Sequence, residues 1–192
     1  MGMFSFIQPY HNRPMKKFAG IPLVLLFSFS AQCQLIDGLP IDYNGNLNAN
    51  KVVLVDGAEK AELFMRANQF YSMKLKSANQ RAHADTKGTE IAGKGMSEVW
   101  IKHDSYLSKE QLWYTIRIQC KDGRYKYEIY DFAFKNKRGQ LPAHEIFNKS
   151  VYYENDGSAK AFNKAYKVEF DKAVKNLTSL LESTMQTQFA KN

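Results

Sequence analysis

The chain has 192 residues, with 27 Lys and Arg against 19 Asp and Glu, and 14% of it is aromatic. This composition belongs to a folded domain with room for a core, not to a disordered tail. Two cysteines exclude a disulfide framework, and the mild basic excess does not by itself argue for nucleic-acid binding.

Met15-Lys16-Lys17 opens a basic segment, Ile21 to Phe29 is nearly all apolar, and small residues follow. This is the pattern of a secretory signal peptide, and its apolar run falls short of the ~20 residues a transmembrane helix needs. Residues 1–33 are read as the leader, with residues 1–14 as an over-called start ahead of Met15. Cleavage after Cys33 leaves Gln34 first and an exported chain in the periplasm or cell envelope. The alternative is a lipoprotein anchored through Cys33, the one case in which a membrane is a partner; Gln32 is a poor residue for that motif. The exported chain keeps Cys120 alone, read as a buried small hydrophobe.

Leu35 to Asn50 is rich in Gly, Asn, Asp and Pro, and residues 34–50 are read as a linker or mobile arm. A single domain is expected over 51–188. Lys51 to Val55 reads as a first strand, buried on both faces or central because it is continuously apolar. Asp56 and Glu59 form a capping box for a helix with Leu63, Phe64, Ala67, Phe70 and Tyr71 on one stripe. Lys60, Glu62, Arg66 and Gln69 are expected to face water. Two strands follow, Gln80 to Thr86 and Glu90 to Lys102, with a turn at Lys87-Gly88.

Trp113 to Phe134 is a hairpin in which Asp122-Gly123 predicts a two-residue type I′ loop. That loop places Cys120 opposite Tyr125, Ile118 opposite Tyr127 and Ile116 opposite Ile129, all on an apolar face. Arg117 falls opposite Glu128 on the polar face, an ion pair of roughly 0.2–1 kcal/mol. Near the open end the alternation fails. A β-bulge near Tyr130 would return Phe132 and Phe134 to the inner side; without it, Trp113 and Phe132 pair on the outer face. Lys135 to Asp156 reads as a long irregular loop with a basic cluster, Lys135, Lys137 and Arg138, and an anchor of Ile146, Phe147 and Tyr153. Ser158 caps a last helix whose stripe, Phe162, Tyr166, Phe170, Ala173, Leu177, Leu180 and Leu181, covers the hairpin's apolar face. The order β-α-β-β-β-β-α is α+β: two layers, an antiparallel sheet covered on one face by helices.

Chemistry-bearing patterns are sparse. Gly93-Lys94-Gly95 lacks the spacing of a phosphate loop, and glycine in a strand more often marks a bulge or a close approach. His83, His103 and His144 are scattered, so no metal signature forms, and no cofactor is expected. His144-Glu145 and Asp104 are the only acid/base candidates. Trp100, Trp113 and Phe132 could form an exposed aromatic patch.

Three stretches carry a family resemblance: Val53-Leu-Val-Asp-Gly-Ala-Glu-Lys-Ala-Glu-Leu-Phe-Met-Arg-Ala67, Gly93-Lys-Gly95, and Tyr114-Thr-Ile-Arg-Ile with Lys121-Asp-Gly-Arg-Tyr-Lys-Tyr-Glu-Ile129. In that order they resemble a bacterial domain of unknown function, number 4468, typical of exported Bacteroidetes-type proteins and described as TBP-like. The resemblance covers roughly residues 51–134. It implies the TBP-like fold and an envelope location, and no activity or catalytic residue. A TBP-like shape does not make a DNA binder. The expected function is a non-enzymatic, exported binding or interaction module, with an envelope protein as partner. It would work through the outer sheet face and the 135–156 loop, using Trp100, Trp113, Phe132, Lys135, Lys137 and Arg138. The alternatives are a carrier holding a small apolar ligand between helices and sheet, and an envelope hydrolase.

Overall fold

The computed structural model describes residues 35–74, 83–85 and 87–187. The expected leader, Cys33, and most of the strand expected over 80–86 lie outside them.

Strand β1 (Ala49–Leu54) leads to helix α1 (Lys60–Lys74), then to β2 (His83–Ala84), β3 (Glu90–Lys102), β4 (Leu107–Lys121) and β5 (Arg124–Asn136). A short β6 (Gly139–Pro142) and two single-turn helices, α2 (Ala143–Ile146) and α3 (Lys149–Tyr152), precede the long α4 (Ala161–Gln186). The sheet is antiparallel, in the order β1-β5-β4-β3-β2, with β6 also paired to β5. Helices α1 and α4 pack together on one face, which makes the two-layer α+β arrangement expected.

The hairpin register is as predicted: Cys120 pairs Tyr125, Ile118 pairs Tyr127, Ile116 pairs Ile129 and Arg117 pairs Glu128. Alternation puts Tyr114, Ile116, Ile118, Cys120, Tyr125, Tyr127 and Ile129 inward, where all are buried. Leu63, Ala67 and Phe70 of α1 and Tyr166, Phe170, Leu177 and Leu181 of α4 fill the layer above them. Phe162, expected on that stripe, is 46% exposed and lies against the Tyr166 ring at 4.7 Å in a tilted arrangement.

The turn itself differs from type I′. Gly123 takes φ +73°, but Asp122 does not enter the left-handed region. Asp122 serves the helix instead: its Oδ1 accepts the Lys60 N–H at 2.7 Å. Gly123 N–H donates to the Ala58 carbonyl, and its own carbonyl accepts from Val55, both at 2.9 Å. The hairpin tip thereby supplies the first-turn acceptor that the sequence assigned to Asp56. Ser158 likewise does not cap α4, whose N-cap is Lys160; its N–H bonds Asp156.

Several expected environments change. Strand β1 is an edge strand, not a central one, with Val52 and Leu54 exposed at 56% and 71%. Residues 34–50 read as a linker or mobile arm, yet Ile36, Leu39 and Leu47 enter the core, and Leu35 bridges Asn148. Arg66 is buried, not wet: its guanidinium donates to the Met185 carbonyl at 2.6 Å and pairs with Glu62 at 2.5 Å. Met185 lies in the last turn of α4, whose carbonyls have no helical partner and favour a cation. The loop expected over 135–156 contains β6, α2 and α3, anchored by Ile146, Phe147 and Tyr152, while Tyr153 stays partly exposed.

Candidate functional site

The sheet face opposite the helices carries exposed Trp100, half-buried Trp113 and Tyr130, and a set of charged side chains. Its rows follow from the register. Met96, Trp113 and Ala133 form one row; Lys94, Thr115 and Tyr130 the next; Glu98, Gln111 and Lys135 lie on the other side. Trp100 sits opposite Lys109.

Each ring on this face has a cation above it. Lys109 Nζ lies 5.8 Å from the Trp100 ring centre, Lys135 Nζ 5.6 Å from Trp113, and the Arg117 guanidinium 5.7 Å from Tyr130. Such contacts contribute about 0.5–1 kcal/mol at exposed sites. Three glutamates balance part of the charge: Glu98 holds Lys109 at 2.7 Å, Glu128 holds Lys126 at 2.8 Å, and Arg117 stands 3.5 Å from both Glu90 and Glu128. Gln111 accepts the Trp113 indole N–H at 3.0 Å and fixes that ring. Val52 and Leu54 extend the face along the edge strand, since they pair with Lys126 and Arg124.

Of the residues expected in the patch, Trp100, Trp113 and Lys135 come together here. Lys137 and Arg138 are exposed at the tip of the β5–β6 hairpin, at the end of the same strand as Lys135. Phe132 does not belong. The register slips between Trp113 and Thr115, so Trp113 faces Ala133 and Thr115 faces Tyr130, leaving Asp131 and Phe132 opposite the single residue Tyr114. This is the expected bulge. It turns Phe132 into the core, 4% exposed and 5.0 Å from the Phe170 ring. Asp131 makes the slip by adopting φ +54°, and Thr115 Oγ1 donates to its carboxylate at 3.2 Å. Tyr130, which the sequence reading missed, takes the aromatic position expected for Phe132; period two from Arg117 and Glu128 locates it.

The remaining motifs resolve as structure. Gly95 lies directly opposite Tyr114, and a Cβ there would come within 2.4 Å of the Tyr114 ring. The Gly-Lys-Gly run is thus a strand that makes room for an aromatic ring. Cys120 is buried, and burial pushes its thiol up to about 11. Asp104 is exposed in the β3–β4 turn. His144 lines a cleft at the sheet edge, whereas Glu145 is exposed outside that lining. Among the described residues, no three His, Cys, Asp or Glu side chains gather as a metal site would require, and no helix is long and apolar enough to cross a membrane.

Comparison with known proteins follows the same lines. Residues 50–135 match the family described as domain of unknown function (DUF4468) with TBP-like fold. A DUF4468 family protein from Bacteroides ovatus superimposes with a TM-score of 0.66 at 13% identity, covering 83% of this chain and 96% of that one. A TBP-like protein from Parabacteroides distasonis gives 0.59 at 17% identity, covering 82% and 100%. No curated protein matches the chain. The matched segment runs from β1 to residue 135 in β5, the hairpin and open face included, and over it the chain is similar to the DUF4468 family and shares its TBP-like fold.

Proposed function

We propose that this protein is an exported, non-enzymatic interaction module that engages an envelope protein through the open face of its sheet. The observation that supports this most is the concentration of Trp100, Trp113, Tyr130, Met96, Val52 and Leu54 on the face that none of the described helices covers. Interfaces favour aromatic, Met and Arg side chains at their centres, with charge at the rim. Here Lys109, Arg117 and Lys135 hold the rings, glutamates pair with Lys109, Arg117 and Lys126, and Lys94 and Lys135 leave the face basic. The partner surface is therefore acidic and apolar. The carrier reading is less favoured: Leu63, Phe70, Ile116, Ile118, Phe170 and Leu181, all at 0–1% exposure, close the space between helices and sheet.

The test is photo-crosslinking in cells, with the reactive residue placed at Trp100 or Trp113 and, as controls, at the exposed helix positions Met65 and Val168. A discrete adduct from the sheet positions, absent from the controls and present in the envelope fraction, is the expected result. Equal labelling from both faces, or a chain retained in the cytoplasm with its leader uncut, would sink the reading. Palmitate incorporation that requires Cys33 would make the exported form a lipoprotein.

A further inference from the structure

A cleft lies at the edge of β5 and shares only Tyr130 and Ala133 with the residues named above for the open sheet face. Strand β1 pairs with β5 only as far as Ile129, and β6 begins its pairing at Ala133. Among the described residues, Tyr130, Asp131 and Phe132 therefore have no strand partner on that side. The loop over 41–48 stands beside the gap, and a cleft of about 950 Å³ opens there.

Its lining is unusual for this chain. It includes Asp42 and Asp131 but no lysine or arginine, in a protein with 27 basic residues. A phosphate, sulfate or carboxylate would meet like charge in the lining, and Arg117, which stands over the Tyr130 ring, is already held by Glu90 and Glu128. The polar walls come from Asn48, Gln140 and His144, beside Asp131. Side-chain amides donate and accept from one planar group, carboxylates accept, and an imidazole can do either. A ligand whose every polar group is a hydroxyl, both donor and acceptor, satisfies such a set.

Two rings complete the site. Tyr43 is 96% exposed, so it has no packing role in the fold. Its loop is nevertheless ordered: the Asp42 carboxylate accepts the N–H groups of Asn44 and Asn46, each at 2.9 Å, and Ile41 bridges Leu47. These same bonds hold the Asp42 carboxyl below its usual range. Tyr130 adds a second ring from the sheet. Aromatic faces suit ligands that are polar at the edges and apolar on their C–H faces. Asp131 contributes a left-handed backbone at a non-glycine residue. Such conformations persist where surroundings over-determine them and cluster at ligand sites. Asn48 Oδ1 is buried without a hydrogen-bond partner and lines the same cleft.

We propose that this cleft binds a neutral saccharide, with Tyr43 stacking on a pyranose face and Asn48, Asp131, Gln140 and His144 taking its hydroxyls. The experiment is isothermal titration of the exported chain with two sets of oligosaccharides. One is neutral, built of glucose, mannose, galactose or N-acetylglucosamine; the other is sialylated or sulfated. The expected result is binding of at least one neutral oligosaccharide, weakened about tenfold or more by Tyr43→Ala and by Gln140→Ala. Both side chains are exposed, so neither change should move the melting temperature. Met65→Ala, at an exposed helix position outside the cleft, should leave the affinity unchanged. No binding by any neutral oligosaccharide at millimolar concentration would overturn the proposal. So would a preference for the acidic set, or affinity that falls with Trp100→Ala but not with Tyr43→Ala. That last outcome would assign the sugar to the sheet face and leave the sheet-face reading standing.

Discussion

At the scale of single residues, Gly95 and Asp131 control where the neighbouring aromatic rings go. Gly95 lets the Tyr114 ring lie across β3, where its hydroxyl meets Ser97 Oγ at 3.1 Å. Gly95→Ala forces a methyl against a buried ring, and we expect a loss of about 1–3 kcal/mol, read by urea denaturation. In the double mutant with Tyr114→Ala the two losses should fall short of additivity, because the clash needs both residues. Additive losses would show that the glycine serves the backbone alone. The bulge was legible in the sequence because Asp131 would otherwise fall on the apolar face. Its consequence for Phe132 was only half legible: one residue of slip decides whether that ring is core or surface. Arg66 was not legible at all. Helical periodicity places it next to the apolar stripe, but only the distant end of α4 explains why a guanidinium is buried there.

Among elements, the tip of the β4–β5 hairpin is joined to the start of α1. Asp122→Ala removes the acceptor for the Lys60 N–H and should cost about 1 kcal/mol, with Asp122→Asn recovering part of it. Equal loss in both variants would mean that charge near the helix start, not the hydrogen bond, carries the effect. This contact spans 62 positions in sequence. A local reading therefore assigned the cap to Asp56 and the turn to type I′, each sound for an isolated segment. The strands and the two long helices were readable because period two and period 3.6 are local signals. β6, α2 and α3 were not, since four-residue elements carry too few repeats to show a period.

Across the whole molecule, Glu182 joins three elements: it receives Lys51 Nζ of β1 at 2.9 Å and the Tyr127 hydroxyl of β5 at 2.9 Å from its place on α4. Burial pushes its carboxyl up, but the bonds from Lys51 and Tyr127 outweigh that and hold it below the ordinary value of 4.5. A depressed folded pKa gives stability that is present above the ordinary value and lost as pH falls through the folded one. Glu182→Gln should therefore cost about 1 kcal/mol at neutral pH, and the two stability curves should converge in acid below pH 4.5. A gap that persists unchanged into acid would remove the carboxylate from that account. The placement of the two tryptophans has a spectroscopic side. The chain holds only Trp100 and Trp113, and both stand on the open sheet face, away from the core. Indole emission therefore monitors the traffic over one surface, while the collapse of the interior is written in tyrosine and phenylalanine. Anyone following unfolding by tryptophan fluorescence will be watching the doorway and not the room.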